Sequence, residues 1–288
     1  MENIKISVIV PVYNRMEHLR ALLICLLNQT QIPNELIITD DGSKEKVLDY
    51  IGDLIDEAKF KIKHVFQEDK GFRKTRALNN AVRESSGEIL IFCDQDLIFP
   101  DDYIEKMLKE SKKGIYLMGR AHNTTEEEKD KIILDLNNSR NYNDLLKNIP
   151  ELYLENMEKQ YYSDKKRRIF QKFLLNRRGI RLAGMTYGIY KTDYEKVNGY
   201  DEKYQGWGYE DDDFGNRLCV AGIKGKEIKT EKIQLHLYHY NDPSKKQSLN
   251  EEYYYKQKKK IFKEKKYYCE FGLDNSYHND FIKILNLK

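Results

Sequence analysis

Gly87-Glu-Ile-Leu-Ile-Phe-Cys-Asp94-Gln95-Asp96-Leu-Ile-Phe-Pro100 reads as a buried strand that stops at two carboxylates. The apolar run from Ile89 to Phe92 is short and continuous, as in a strand covered on both faces. Alternation at the strand end aims Asp94 and Asp96 at one ligand and turns Gln95 away. Neither acid has a cationic neighbour in sequence. Converging carboxylates without a side-chain partner repel, so a hard divalent cation, Mg²⁺ or Mn²⁺, is the expected third party. Such an ion fills its shell with water and phosphate oxygens, which is how a nucleoside diphosphate is held. Asp-x-Asp pairs also occur as solvated turn acids, so the weight comes from the strand before this one and from the rest of the chain.

Outward from that strand, β and α patterns alternate at short intervals. Ile4 to Val10 predicts a strand that leaves sharply at Pro11-Val12-Tyr13-Asn14, because proline cannot continue a central ladder. Leu19, Leu22, Leu23, Leu26 and Leu27 recur at helical spacing. A strand over Glu35 to Asp40 closes at Asp40-Asp41-Gly42-Ser43, followed by a helix, a strand over Lys61 to Phe66, and a helix over Arg73 to Glu84. Asp101 to Lys113 reads as a helix and Ile115 to Met118 as a strand. This rhythm predicts an α/β fold with a mainly parallel sheet flanked by helices, its ligand at the carboxyl ends of the strands. An aromatic face at Tyr13, a carboxylate at Asp41 and the acid pair are the parts of a nucleotide site, although Asp40-Asp41-Gly42-Ser43 alone reads as a turn and helix cap. In the basic loop from Asp69 to Arg76, Arg73 or Arg76 is placed to meet diphosphate oxygens, helped by the helix N-terminus.

The chain has 288 residues, 50 basic and 47 acidic side chains, and a net charge of +3, which gives no global field suited to nucleic acid. No apolar run approaches the ~18–20 residues that span a bilayer. The first residues enter a strand rather than a signal-peptide pattern. Cys25, Cys93, Cys219 and Cys269 are widely spaced and read as reduced core thiols, so a cytoplasmic location is expected.

The second half breaks the rhythm. Residues 121–180 are charge-rich with scattered helical periodicity and read as a helical insertion, either a lid or a solvated spacer. Gly184 to Tyr190 predicts a strand, and Gly206-Trp207-Gly208-Tyr209-Glu210-Asp211-Asp212-Asp213 opens a helix. The single tryptophan offers a stacking platform for a sugar, with Gly208 allowing close backbone approach. Four acids in a first turn exceed what capping requires, so one is placed as a general base. His236 and His239 follow a strand-like run, and a neutral imidazole suits the metal shell of the aspartates. Residues 1–120 and 181–242 thus read as two halves of one domain, and 243–288 as a basic, tyrosine-rich helical tail, either a solvated helix, the commoner case, or one lying on an anionic membrane.

With these residues in hand, the chain resembles inverting family-2 glycosyltransferases of the GT-A fold. Val8-Ile-Val-Pro-Val-Tyr13-Asn14, Asp40-Asp41-Gly42-Ser43, Asp69-Lys-Gly-Phe-Arg73 and Asp94-Gln95-Asp96 carry this. Asn198-Gly199-Tyr200 and the Gly206 to Asp213 segment look like β-1,4-galactosyltransferases and polypeptide N-acetylgalactosaminyltransferases, and bacterial chondroitin-polymerase modules are similar in the same places. The resemblance implies a UDP-sugar donor, held by Pro11, Tyr13, Asp41 and the Asp94-Gln95-Asp96 segment. It implies Mn²⁺ or Mg²⁺ on Asp94 and Asp96 with His239, and His236 as a further candidate. It implies Asp211 as the base, with Glu210, Trp207 and Gly208 shaping the substrate pocket. The acceptor would be a glycan, either free or lipid-linked, in bacterial surface polysaccharide synthesis. A non-catalytic nucleotide-sugar-binding module and a sugar-nucleotide pyrophosphorylase are the competing expectations. The latter wants a glycine-rich basic loop that Pro11-Val-Tyr-Asn14 does not supply.

Overall fold

A computed structural model of the chain describes residues 4–147, 149–173, 181–182, 184–240 and 248–288. The end of the expected 121–180 insertion and the start of the expected tail lie outside the described residues. Four parallel strands form the centre, β1 (Ile6–Val12), β2 (Glu35–Asp40), β3 (Lys61–Gln67) and β4 (Ile89–Cys93), in the order β3-β2-β1-β4. Helices α1 (Met16–Leu27), α2 (Val47–Ile55) and α3 (Lys74–Arg83) connect them. The strand side chains divide by alternation. Val8, Val10 and Val12 pack with α1 and α2, while Ile9, Ile37, Leu90 and Phe92 pack with α3. Each fully buried aliphatic side chain contributes about 1.5–3 kcal/mol, so two covered faces define the register firmly.

Beyond β4 the direction changes. Strand β5 (Leu97–Ile98) and α4 (Tyr103–Glu110) lead to β6 (Ile115–Met118) and β7 (His122–Asn123). Helices α5 (Glu126–Ser139), α6 (Tyr142–Leu146) and α7 (Glu151–Lys172) follow, then β8 (Thr186–Tyr190), α8 (Lys191–Lys196), α9 (Glu210–Val220) and β9 (Lys224–Glu227). Strand β8 pairs antiparallel with both β4 and β6, and β9 runs parallel to β6. A small sheet of β5, β7 and β10 (Leu235–His236) brings the segment after the Asp94/Asp96 pair against the two-histidine segment. No described helix is long and apolar enough to cross a membrane.

Two expectations require correction. Strand β1 does not end before Pro11 but runs through it, paired with Thr39 of β2. The Val12 carbonyl accepts from Asp41 on the β2 side, so by alternation the Pro11 nitrogen faces β4, whose pairing has already ended at Ile9–Phe92. The missing N–H therefore leaves no ladder bond unmade. The tail is not helical throughout. It contains α10 (Glu251–Glu264), but Ile282–Asn286 forms β11, which pairs antiparallel with β3 and covers that sheet edge.

Candidate active site

The strand order reverses between β1 and β4, and their carboxyl ends open a cleft of about 340 Å³. Tyr13, Asp41, Lys74, Asp94, Asp96 and Trp207 are among its walls. The β1–α1 exit is strained, with Asn14 (φ 52°) and Arg15 (φ 54°) both left-handed. Gln95 holds it there. Its carbonyl accepts from the Tyr13 N–H at 2.8 Å, and its amide donates to the Asn14 and Arg15 carbonyls at 2.7 and 3.1 Å. Gln95 is thus the brace of the loop, and Tyr13, 45% exposed, presents its ring beside the cleft. Asp41 accepts from Gln67 Nε2 and from the Arg73 N–H, each at 2.6 Å. Burial still pushes its pKa up to about 6, against those hydrogen bonds.

Asp96, His236 and His239 form a group whose ligand atoms lie within 4.8 Å of one another. His236 Nε2 stands 3.2 Å from Asp96 Oδ1, yet that buried oxygen makes no well-aligned hydrogen bond. His239 Nδ1 lies 3.1 Å from the Tyr240 carbonyl, which can only accept, so Nδ1 carries the proton. Burial lowers the His239 pKa, which leaves Nε2 as a lone pair facing Asp96 Oδ2 at 3.4 Å. The His239 lone pair and an unsatisfied buried carboxylate oxygen, with the His236 ring beside them, fit a divalent cation, and a backbone carbonyl fixes the His239 tautomer. Asp94 stands apart from this group. Its Oδ1 accepts from Lys74 Nζ at 2.7 Å.

The acids at the start of α9 occupy the junction of two spaces. A second, larger cleft of about 980 Å³ runs between α7 and α9, and it shares Met185, Trp207, Glu210 and Asp211 with the first. Trp207, 48% exposed, sits between Gly206 (φ 75°) and Gly208 (φ 106°). Buried Asn250 pins this loop by donating to the Gly206 and Gly208 carbonyls at 3.3 and 3.0 Å. Glu210 is buried, with Oε2 unpartnered among the described residues. Burial, and then the charge of Asp211, push its pKa up to about 7. Stabilisation from the protonated carboxyl is therefore complete below its ordinary 4.5 and lost as pH rises through about 7. Glu210→Gln removes that loss. Its stability advantage over wild type in EDTA should grow between pH 5 and 8.5 towards a limit of ~3 kcal/mol, read as a widening Tm difference. A Tm difference independent of pH would contradict the buried, neutral carboxyl.

Asp211 lies against a glycine. A Cβ added at Gly184 would stand 2.2 Å from Asp211 Oδ2 and 2.8 Å from its Cγ. The obstructed atoms are the tip of a short side chain, so Gly184→Ala should fold with nearly unchanged Tm while displacing the carboxylate. A displacement near 1 Å costs on the order of 10²-fold in rate. Turnover near wild type in a well-folded Gly184→Ala would mean that this placement of Asp211 does not matter.

Residues 7–181 match the family described as "Glycosyl transferase family 2". The chain belongs to that family. Residues 165–240 of this family 2 chain also match a family described as "N-terminal domain of galactosyltransferase". A chondroitin synthase of Pasteurella multocida (strain Pm70) is 28% identical over 279 residues, 92% of this chain and 28% of that protein. The chain thus spans under a third of that relative's length. The S. aureus TarS 1–349 structure in complex with UDP-GlcNAc superposes with a TM-score of 0.55 at 15% identity, covering 88% of this chain and 64% of that one. A mannosyltransferase, PcManGT from Pyrobaculum calidifontis, in complex with GDP-Man and Mn²⁺, gives 0.51 at 15%, covering 81% and 56%. These likenesses show the fold, which is the GT-A architecture.

Against the sequence expectations for this family 2 chain, the structure moves several residues. Arg73 and Arg76 do not line the cleft described above. Both are buried behind it, where Asp280 of the tail lies 2.5 Å from Arg73 Nη1 and its carbonyl 3.0 Å from Arg76 Nη2. Lys74, one residue on from Arg73, lines the cleft instead. Burial opposes its charge, but Asp94, Asp211 and Glu210 outweigh it and raise the pKa. The acid pair is therefore not without cations, since Arg15 also reaches Asp96 Oδ2 at 3.1 Å. The signal for Lys74 lay in the basic loop entering α3. The signal for Arg15 was absent, because only a left-handed turn aims it back at β4.

Proposed function

We propose that this chain is the catalytic domain of an inverting, metal-dependent glycosyltransferase that moves a sugar from a UDP-sugar to a glycan hydroxyl. The observation that carries the proposal is Asp211 at the meeting point of a nucleotide-sized cleft and a larger open one. Tyr13 offers a face for the base, and Asp41 an acceptor for its ring N–H. Lys74 supplies positive charge beside the diphosphate. Asp96, His236 and His239 would hold a divalent cation, with Asp94 nearby on Lys74. When bound, such an ion neutralises the charge that builds on a departing nucleoside diphosphate. Trp207 gives the transferred sugar a flat surface, and the protonated Glu210 can donate a hydrogen bond to it.

Asp211 Oδ2 takes the proton of the acceptor hydroxyl as that oxygen bonds to the anomeric carbon. The bond from that carbon to the diphosphate breaks on the opposite face, so configuration inverts. The arginines of the larger cleft, Arg120, Arg167 and Arg181, lie on the acceptor side. Galactose or an N-acetylhexosamine is the favoured donor sugar, supported by the galactosyltransferase match and the UDP-GlcNAc complex of TarS. The chondroitin synthase relative supports a role in bacterial surface polysaccharide synthesis.

Calorimetric titration with UDP and GDP, with Mn²⁺ or with EDTA, tests the donor half. UDP should bind only with the metal and more tightly than GDP. UDP binding of equal strength in EDTA, or none under any condition, would remove the proposal's basis.

A further inference from the structure

We infer that Tyr200 is a positioning residue for Asp211, with the direction of its proton set by Tyr187. This rests on the assignment of Asp211 as the base. Tyr187, on β8, and Tyr200, in the loop after α8, are both 1% exposed. The Tyr200 hydroxyl donates to Asp211 Oδ1 at 2.8 Å, and the Tyr187 hydroxyl donates to the Tyr200 oxygen at 3.2 Å. The order of donation is forced. An ionised carboxylate has no proton to give, so Tyr200 must donate to it and accept from Tyr187. Burial, and then the charge of Asp211, hold the Tyr200 hydroxyl well above its ordinary range, so it keeps its proton.

Packing alone does not require these hydroxyls. The Tyr200 ring stacks on Phe214 of α9 at 4.4 Å, and Tyr187 stacks on Phe92 of β4 at 4.5 Å. Phenylalanine would serve both contacts, and burying a phenol is costly unless it is hydrogen-bonded. The Tyr200 backbone is held as firmly as its ring. Its N–H donates to Asn79 Oδ1 at 3.0 Å, and its carbonyl accepts from Asn79 Nδ2 at 2.9 Å. The outcome is a division of labour within one carboxylate. Oδ1 is tied to the aromatic core, and Oδ2, over Gly184, has no hydrogen-bond partner among the described residues. Phe92 lies on β4, which leads directly into Asp94, so one stack sets both the donor segment and the base.

The test uses the full chain with Mn²⁺ and a UDP-sugar donor, following nucleoside diphosphate release. Tyr200→Phe should lower kcat roughly 10–100-fold, at or below the lower end of the ~10²–10⁴-fold that a general base contributes, because the base is misplaced and not removed. The donor KM and UDP affinity should stay near wild type, while Tm falls because the buried Tyr187 hydroxyl loses its acceptor. Tyr187→Phe should show a smaller loss, and the double variant should be no slower than Tyr200→Phe, because both act through one bond. Wild-type kcat in Tyr200→Phe overturns the positioning role, as do losses that multiply in the double variant. An effect confined to KM and Tm overturns it too. An Asp211→Asn control separates the levels: turnover retained there removes the base assignment itself. Turnover lost there but unchanged in Tyr200→Phe removes only the role of Tyr200.

Discussion

Asp211→Asn should reduce turnover by about 10²–10⁴-fold, the range a positioned general base supplies, while leaving metal-dependent UDP affinity within a few-fold of wild type. The substitution is isosteric. Tyr200 can still donate to the retained carbonyl oxygen at 2.8 Å, and the new amide occupies the space over Gly184 where Oδ2 lies. Fold and cleft shape are therefore preserved, and only the capacity to take a proton is lost. Single-turnover release of UDP, paired with calorimetry, separates the two effects. Unchanged release in a variant that binds UDP normally would move the base elsewhere, with Glu210 the neighbouring candidate.

The second large effect is expected at Asp96. Asp96 is 4% exposed and is the one carboxylate shared by the two histidines and Arg15. Removing a partner one shell out from a metal typically costs 10–100-fold in affinity, so losing a direct ligand should cost at least ~10²-fold. Asp96→Asn should thus lose Mn²⁺ binding and metal-dependent UDP binding together. Asp94→Asn provides the contrast. The Asp94 carboxylate is bonded to Lys74 and lies outside the three-residue group, so its loss should weaken donor binding more than Mn²⁺ binding. Mn²⁺ affinity retained in Asp96→Asn, or lost equally in both variants, would contradict the division seen in the structure.

Much of this was legible in the sequence, for physical reasons that also mark the limits. Uninterrupted apolar runs such as Ile89 to Phe92 report burial on two faces, and that is what a central parallel strand requires. The motifs at strand exits then collect at one switch point, because the topology leaves them no other place. What sequence could not supply was reach across elements. Asp280 lies more than 200 residues from Arg73, and its carboxylate takes the arginine expected at the phosphate. The β11 edge strand was hidden in a lysine- and tyrosine-rich tail, since Ile282 and Ile284 make too short an alternation to stand out. The Tyr187–Tyr200–Asp211 chain joins residues from three elements and has no local pattern. Lys74 was the closest miss. It stands between the two arginines, one residue after Arg73 and two before Arg76, and the left-handed Gly71 before it (φ 82°) makes that register hard to read.

The most direct test of the central claim is hydrolysis of a panel of UDP-sugars and GDP-sugars with Mn²⁺, with and without EDTA. Cleavage of a UDP-sugar only when metal is present, and abolished in Asp211→Asn, is the predicted result. No metal-dependent cleavage of any donor, with no metal-dependent UDP binding, would contradict it and leave a nucleotide-sugar fold without its chemistry.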